Sequence, residues 1–434
     1  MLATLPIEII QEIFLNLDDL GTLKEAALCC RTLYEAFLAI EELLTTTILH
    51  RQIHPSVLPD AINTHVSFSI PSSDTEAVNR FSTDYLNTKK ILPSKWKLAN
   101  ALPLSLFHQF VDYFATRLSS MGLEDSPSYL REPPCQANPT ESEILRIQRA
   151  LYRFQLYRNM FGTLITDPGR QRELMFRYFS TFENEQLASV NDLLLCAIAE
   201  PYNDLVDHDI HWGSMRVSYL EPYDSEQGDY ILSKGLEYLF HLTQTKSYTE
   251  RRRLLSLDDF NFGYDDEPGR LVQFMKWSLS WAGSPDWDYQ DFSFDNLDEE
   301  SMAFHIGKPF YDDGDEGPVT AWKLGDYLVA DPSLMRWRRW GYVFWDMSRL
   351  ENSGIIEKGL SEDSGFRRLR TTEAENRRLF ESQEEREKIE RAGGSGWWSF
   401  KDQSKVQWKC QQGRTKVQMP WGGVQGSSGS RGHF

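Results

Sequence analysis

The densest group of potential metal ligands in the 434-residue chain is Asp207-His208-Asp209-Ile210-His211. Two imidazoles three positions apart can share a helix face, and the flanking carboxylates can complete the shell of a zinc-type ion. Such a site would give a metal-dependent hydrolase its activated water. Pro201 and Gly213 bracket the group, so a turn fits as well as a helix, and no distant third ligand is indicated. Capping and surface roles are the simpler expectation. The five cysteines, Cys29, Cys30, Cys135, Cys196 and Cys410, are odd in number and scattered, which argues against a disulfide framework and against paired zinc-ligand spacing. Cys29 and Cys30 fall in an apolar helical stretch and read as packing residues. No Gly-rich phosphate loop and no G-x-S-x-G elbow occur. The expectation is a chain without a catalytic residue, metal or cofactor.

A second group concerns binding. Residues 284–317 hold eleven acidic side chains, opposed only by Lys308. A charge run of this kind ordinarily forms a solvated loop. Aromatic residues are interleaved with the acids, however, and aromatic anchors beside charge are what interfaces favour. Trp287, Asp291, Phe292 and Asp295 are therefore the candidate contacts for a basic protein substrate. The net charge is −18, distributed as −24 over residues 1–390 and +6 from Arg391 onward. A body this acidic is a poor nucleic-acid binder, because neutralising phosphate drives that association.

The elements that would position such groups begin at the amino terminus. Pro6 suits the start of a helix and Glu8 the positive end of its dipole. Ile9, Ile13 and Leu17 recur every fourth residue along one stripe, with Ile10 and Phe14 on its neighbour. Asp18-Asp19 and Gly21 mark a stop and restart. A second helix follows with Leu23, Ala27, Cys30, Tyr34 and Phe37 on one face. Of the first 50 residues 29 are apolar, against 41% of the whole chain. A unit this small cannot hide so much apolar surface, so the surplus must meet the rest of the chain or a partner.

The ordered run Leu5-Pro6, Ile9-Ile10, Ile13-Phe14, Leu17 and Cys29-Cys30-Arg31-Thr32-Leu33-Tyr34 resembles an F-box over residues 3–50. The F-box is the helical module that docks proteins onto the Skp adaptor of cullin-based ubiquitin ligases. The resemblance implies a three-helix fold and adaptor contacts at Leu5, Pro6, Ile9, Ile13, Phe14, Leu17, Leu28, Cys30 and Leu33. It departs from the family in having Tyr34 where Trp is common, and Ile40-Glu41-Glu42-Leu43-Leu44 where a Leu-Trp pair is common. Leu49 to Pro59 resembles the segment following the F-box in filamentous-fungal proteins. Asn184-Glu185-Gln186-Leu187 and Tyr342-Val343-Phe344-Trp345-Asp346 resemble the helical carboxyl-terminal region of such proteins.

Beyond a connecting segment at 51–94, with a short helix near Glu76–Leu86, apolar residues recur at helical spacing. Leu104, Phe107, Val111, Phe114 and Leu118 make a helix ending at Gly122. Pro127, Pro133, Pro134 and Pro139 mark a loop, and Thr140 with Glu143 form a capping box for a helix carrying Ile144, Ile147, Leu151, Phe154 and Phe161. Further helices are expected at about 170–182, 184–200, 230–242, 271–281 and 334–347, giving a mainly helical substrate-binding domain over 95–350. Trp287-Asp288 and Trp345-Asp346 lack the spacing of a Trp-Asp repeat. Residues 372–391 read as a charged helix between Thr372 and Gly393. The Gly/Ser-rich remainder, with Trp397-Trp398 and Trp421, reads as a disordered tail.

The fold class expected is mainly α: a three-helix F-box, a larger helical domain and a disordered tail. The function expected is a non-catalytic substrate-recognition subunit of a Skp–cullin–F-box ubiquitin ligase, with the Skp adaptor, through it a cullin, and a protein substrate as partners. The alternatives are an F-box scaffold outside the ligase and a hydrolase using His208 and His211. No apolar window reaches the length of a membrane helix, and the opening lacks a basic leader. Cytoplasm or nucleus is the expected location.

Overall fold

A Pro6 N-cap starts α1 (Ile7–Leu15), its carbonyl accepting from the N–H groups of Ile9 at 3.1 Å and Ile10 at 3.2 Å. Asp19 caps α2 (Leu20–Leu28) by accepting from the Thr22 N–H at 2.8 Å and the Thr22 hydroxyl at 2.7 Å. α3 (Arg31–Ala39) and α4 (Glu41–Gln52) follow. These belong to a computed structural model that describes residues 5–87, 93, 95–130, 138–161, 168–220, 226–256, 267–282, 307–360 and 373–408.

The chain is mainly helical. After α4 come α5 (Leu58–Ser67), α6 (Thr75–Phe81), α7 (Leu98–Glu124) and α8 (Glu141–Phe161). The next group is α9 (Pro168–Leu174), α10 (Thr181–His208), α11 (Ile210–Ser214), α12 (Glu226–Ser233), α13 (Leu236–Gln244), α14 (Tyr248–Leu254) and α15 (Glu267–Ala282). Shorter helices occupy Gly317–Leu324, Met335–Trp340, Met347–Ser353 and Ile355–Lys358, and a longer one Glu373–Arg391. The chain divides into two units, Met1–Val206 with Ser218–Asn376, and Asp207–Val217 with Arg377–Phe434. The amino-terminal helices are thus not a unit of their own.

Within the first unit α8 is the central element. Thr140 and Glu143 form the expected capping box, the Glu143 carboxylate accepting from the Thr140 N–H at 2.8 Å. Ile147, Leu151 and Phe154 are buried, but so are Arg146, Arg149 and Arg153 on another stripe. Each guanidinium is paired: Arg146 with Asp346 at 2.7 Å and Asp313 at 2.8 Å, Arg149 with Asp313 at 3.2 Å, Arg153 with Glu183 at 2.9 Å and Asp60 at 3.1 Å. Buried charges persist only with such partners. The described end of the acidic run is therefore not merely a solvated loop: Asp313 and Asp315 tie it to α8 and to Met347, whose N–H Asp315 accepts at 3.0 Å.

Several boundaries differ from the periodicity. The helix expected from Leu23 to Phe37 is broken at Cys29-Cys30, where Cys30 is extended at φ −160°, ψ 166°. The break lets α3 pack on α1 while α2 packs on α7. Gly122 does not end α7, which runs on to Glu124. Its missing side chain instead admits the Trp340 carbonyl, which a Cβ would meet at 2.9 Å. The 230–242 stretch is two helices parted by Gly235 at φ 87°, and 334–347 is broken by Gly341 at φ 79°, conformations glycine adopts without strain.

In the second unit the expected tail begins with order. The helix Glu373–Arg391 ends near Gly393 (φ 90°) and leads into an antiparallel hairpin, β1 (Gly394–Gly396) and β2 (Val406–Trp408), with Gly394 opposite Trp408. Trp398 is buried, as are Ile210 and Trp212 of α11 and Arg386 of the long helix, which donates to the Asp209 carbonyl at 2.8 Å. Trp421 and the rest of the tail lie outside the described residues.

Candidate functional site

The four amino-terminal helices sort their apolar residues into two sets. On α1, Ile10 and Phe14 are 2% and 3% exposed, while the neighbouring stripe faces outward. Leu20, Leu23 and Ala27 of α2, Leu33, Ala36 and Phe37 of α3, and Leu44, Ile48 and Leu49 of α4 are buried. Leu5, Ile7, Ile9, Ile13, Leu28, Tyr34 and Leu38 are left between 36% and 62% exposed. Eight of the sixteen large apolar side chains exposed among the described residues lie before residue 44. Single exposed apolar residues need no explanation, but here they are concentrated on one short stretch of the chain.

Polar contacts fix the scaffold that carries this set. The Arg51 guanidinium donates to the carbonyl of Leu15 at 2.9 Å and to that of Leu17, satisfying acceptors left open at the end of α1. The Gln11 amide donates to the Ala36 carbonyl at 3.1 Å, joining α1 to α3. The Gln52 amide oxygen accepts from the Leu20 N–H at 3.3 Å and the Ser105 hydroxyl at 2.7 Å, joining α4 to α2 and α7. Glu41 accepts from the Leu98 N–H at 3.0 Å. Burial pushes the Asp19 carboxyl up, but hydrogen bonds from the Thr22 N–H and hydroxyl outweigh it and hold the group below the usual carboxylate range.

Of the residues expected to touch an adaptor, Leu5, Pro6, Ile9, Ile13 and Leu28 are exposed, and Leu17 and Cys30 are half-buried. Phe14 and Leu33 differ from the expectation of exposed contacts: both are buried inside the module, where they fill its core. Ile7, Tyr34 and Leu38 are outward-facing residues that the sequence reading missed. Tyr34 and Leu38 stand one helical turn apart, a spacing that could have drawn attention to them.

The other candidates resolve differently. His208 and His211 do not share a helix face, because α10 ends at His208 and Asp209 is extended before α11. His208 Nδ1 lies 3.0 Å from the Trp398 carbonyl, and its ring stacks on Trp397 at 4.7 Å. His211 Nδ1 lies 2.7 Å from Glu390, and the Asp209 carboxylate accepts from the Trp212 N–H at 2.8 Å as the cap of α11. These groups hold the second unit together. Among the described residues no cluster of three or more His, Cys, Asp or Glu could hold a metal ion. Trp287, Asp291, Phe292 and Asp295 lie outside the described residues, as do Cys135 and Cys410. Cys29, Cys30 and Cys196 are free thiols, and burial pushes Cys196 up to about 11.

No helix among the described residues is long and apolar enough to cross a membrane. No family model, no curated protein and no solved structure matches this chain.

Proposed function

We propose that this chain is the substrate-recognition subunit of a Skp–cullin–F-box ubiquitin ligase. The observation that carries the reading is the concentration of outward apolar residues on α1 to α3, on the segment whose order of residues resembles an F-box. The module's own core residues are separately buried, so the outward set is surplus to folding and available to a partner. The larger helical body holds the target, and the chemistry of ubiquitin transfer belongs to the partner subunits; proximity alone raises the effective concentration of the substrate. The chain works in the cytoplasm or nucleus.

The test is co-purification with a Skp adaptor. Ile9→Asp and Ile13→Asp put an unpaired carboxylate into an apolar contact, which costs roughly 3 kcal/mol or more and lowers affinity over about a hundredfold. Both positions are exposed in the free chain, so folding is expected to survive. Adaptor binding that persists in both variants sinks the proposal. Recovery of the adaptor without a cullin would identify a scaffold acting outside the ligase.

A further inference from the structure

A run of aromatic side chains crosses the surface of the first unit on three helices. It starts at Phe68, which follows α5 and is 48% exposed, and meets Phe107 of α7 with ring centroids 5.3 Å apart. Phe107 lies 6.0 Å from Phe110, and Phe110 lies 5.1 Å from Phe240 of α13. Phe240 in turn stands 5.0 Å from Tyr113, at 89° to it. Phe107, Phe110, Tyr113 and Phe240 are each half-buried, and Leu106 beside them is 45% exposed. The rings are therefore packed firmly enough to be fixed, yet present edges and faces to solvent. This is the character of interface anchors, which give contact area at little cost in side-chain entropy.

Between Leu104 and Thr116 of α7 and along α13 the formal charges are acidic, while Lys234, Lys246 and the arginines of α14 lie beyond the ends of α13. From Leu104 to Thr116 on α7, and along the whole of α13, there is no lysine or arginine. The exposed charges on those stretches are Asp112 and Glu237. Glu237 stands three residues before Phe240, on the same helix face. The nearest base on α7, Arg117, is held by Glu200 at 3.5 Å and by the Tyr113 hydroxyl at 3.1 Å. Ring faces carry negative quadrupole charge and attract ammonium and guanidinium groups. Carboxylates beside them add to that attraction, and residues 1–390 carry −24 in all, which steers a cationic partner toward the body.

From this we infer that the α5–α7–α13 aromatic run is the docking surface for a basic segment of a partner polypeptide, one that alternates lysine or arginine with aliphatic residues. The inference rests on the receptor reading for its biological meaning, since it names the class of target that the body would hold. Its residues are different from the outward apolar residues of α1 to α3.

The test uses the full chain and two fluorescent peptides of equal length, one alternating lysine and leucine, the other alternating glutamate and leucine, read by anisotropy at physiological salt. The lysine peptide is expected to bind at least about tenfold more tightly than the glutamate peptide. Glu237→Lys and Phe240→Ser are each expected to weaken it about tenfold. Glu351→Lys, the same charge reversal at an exposed site elsewhere, is expected to change it less than about twofold. Because Phe240→Ser removes packing, the surface variant Glu237→Lys decides if the former misfolds. Equal binding of both peptides, or equal loss in Glu237→Lys and Glu351→Lys, overturns the inference. So does a dimer in sedimentation that Phe240→Ser dissolves, since the run would then be covered by a second copy. Ile9→Asp is expected to leave peptide binding unchanged, so failure of the adaptor proposal and failure of this one are read separately.

Discussion

Ile9 and Phe14 are both apolar and both on α1, yet substitutions at the two report different things. Phe14 is buried, so Phe14→Ala opens a cavity and is expected to cost about 3–5 kcal/mol in denaturant unfolding. Ile9→Asp is expected to leave the unfolding midpoint nearly unchanged and to act on association alone. A comparable contrast exists among the charges. Arg349 grips Glu143 through two contacts of 2.7 Å, and both side chains are buried. Arg349→Met leaves that carboxylate buried without its cation and is expected to cost about 3–5 kcal/mol by chemical denaturation. Asp346 carries a pH signature. Burial pushes its carboxyl up, but hydrogen bonds from Thr140 and Ser142 and the nearby Arg146 guanidinium outweigh this and hold it below its ordinary value of 3.8. A depressed carboxyl stabilises the fold above its unfolded value, and the contribution fades as pH falls through the folded one. The stability gap between the wild-type chain and Asp346→Asn is therefore expected to be full at neutral pH and to shrink below pH 3.8; a gap that stays constant into acid removes Asp346 from that role.

At the scale of elements, spacing predicted where helices lie better than where they stop. The recurrence of Leu104, Val111, Phe114 and Leu118 placed α7, and all four are buried. Gly122 looked like its end because glycine commonly follows a helix. In the fold it is a crossing point, where a Cβ would come within 2.9 Å of the Trp340 carbonyl and 3.3 Å of Trp345. Alanine normally improves a helix interior by about 1 kcal/mol over glycine. Here Gly122→Ala is expected to destabilise by roughly 1–3 kcal/mol, because backbone at that distance must shift; a thermal melt that rises instead contradicts the crossing-point role. The arginine stripe of α8 was equally illegible. Periodicity marks apolar positions, and nothing along one helix reveals that Asp60, Glu183, Asp313 and Asp346 will be brought to Arg146, Arg149 and Arg153 from four other places in the chain.

At the scale of the whole molecule, hydrogen bonds within the first unit tie the amino-terminal helices to the body. Gln52 and Glu41 are hydrogen-bonded to α7, and Thr46 accepts from the Trp96 N–H at 2.9 Å. The second unit places Trp397 and Trp398, read from sequence as part of a disordered tail, in ordered structure. Trp398 is 1% exposed, so Trp398→Ala is expected to cost the second unit about 3–5 kcal/mol, visible as faster amide exchange in α11 and the hairpin. The adaptor binding proposed above is expected to be unchanged.

By itself the sequence determined helical content, the capping box at Thr140, the surplus of apolar residues in the first fifty and the acidic balance of the body. These follow from local periodicity, local hydrogen bonding and composition, which need no neighbour from elsewhere in the chain. Only the tertiary structure decided which stripe of α1 faces out, which guanidinium meets which carboxylate, and that His208 braces the hairpin while His211 meets Glu390 of the long helix before it. It also brought Phe68, Phe110 and Phe240 into one aromatic run. Each of those depends on groups far apart in the chain coming together, and burial is settled by that meeting rather than by any property of the residue alone.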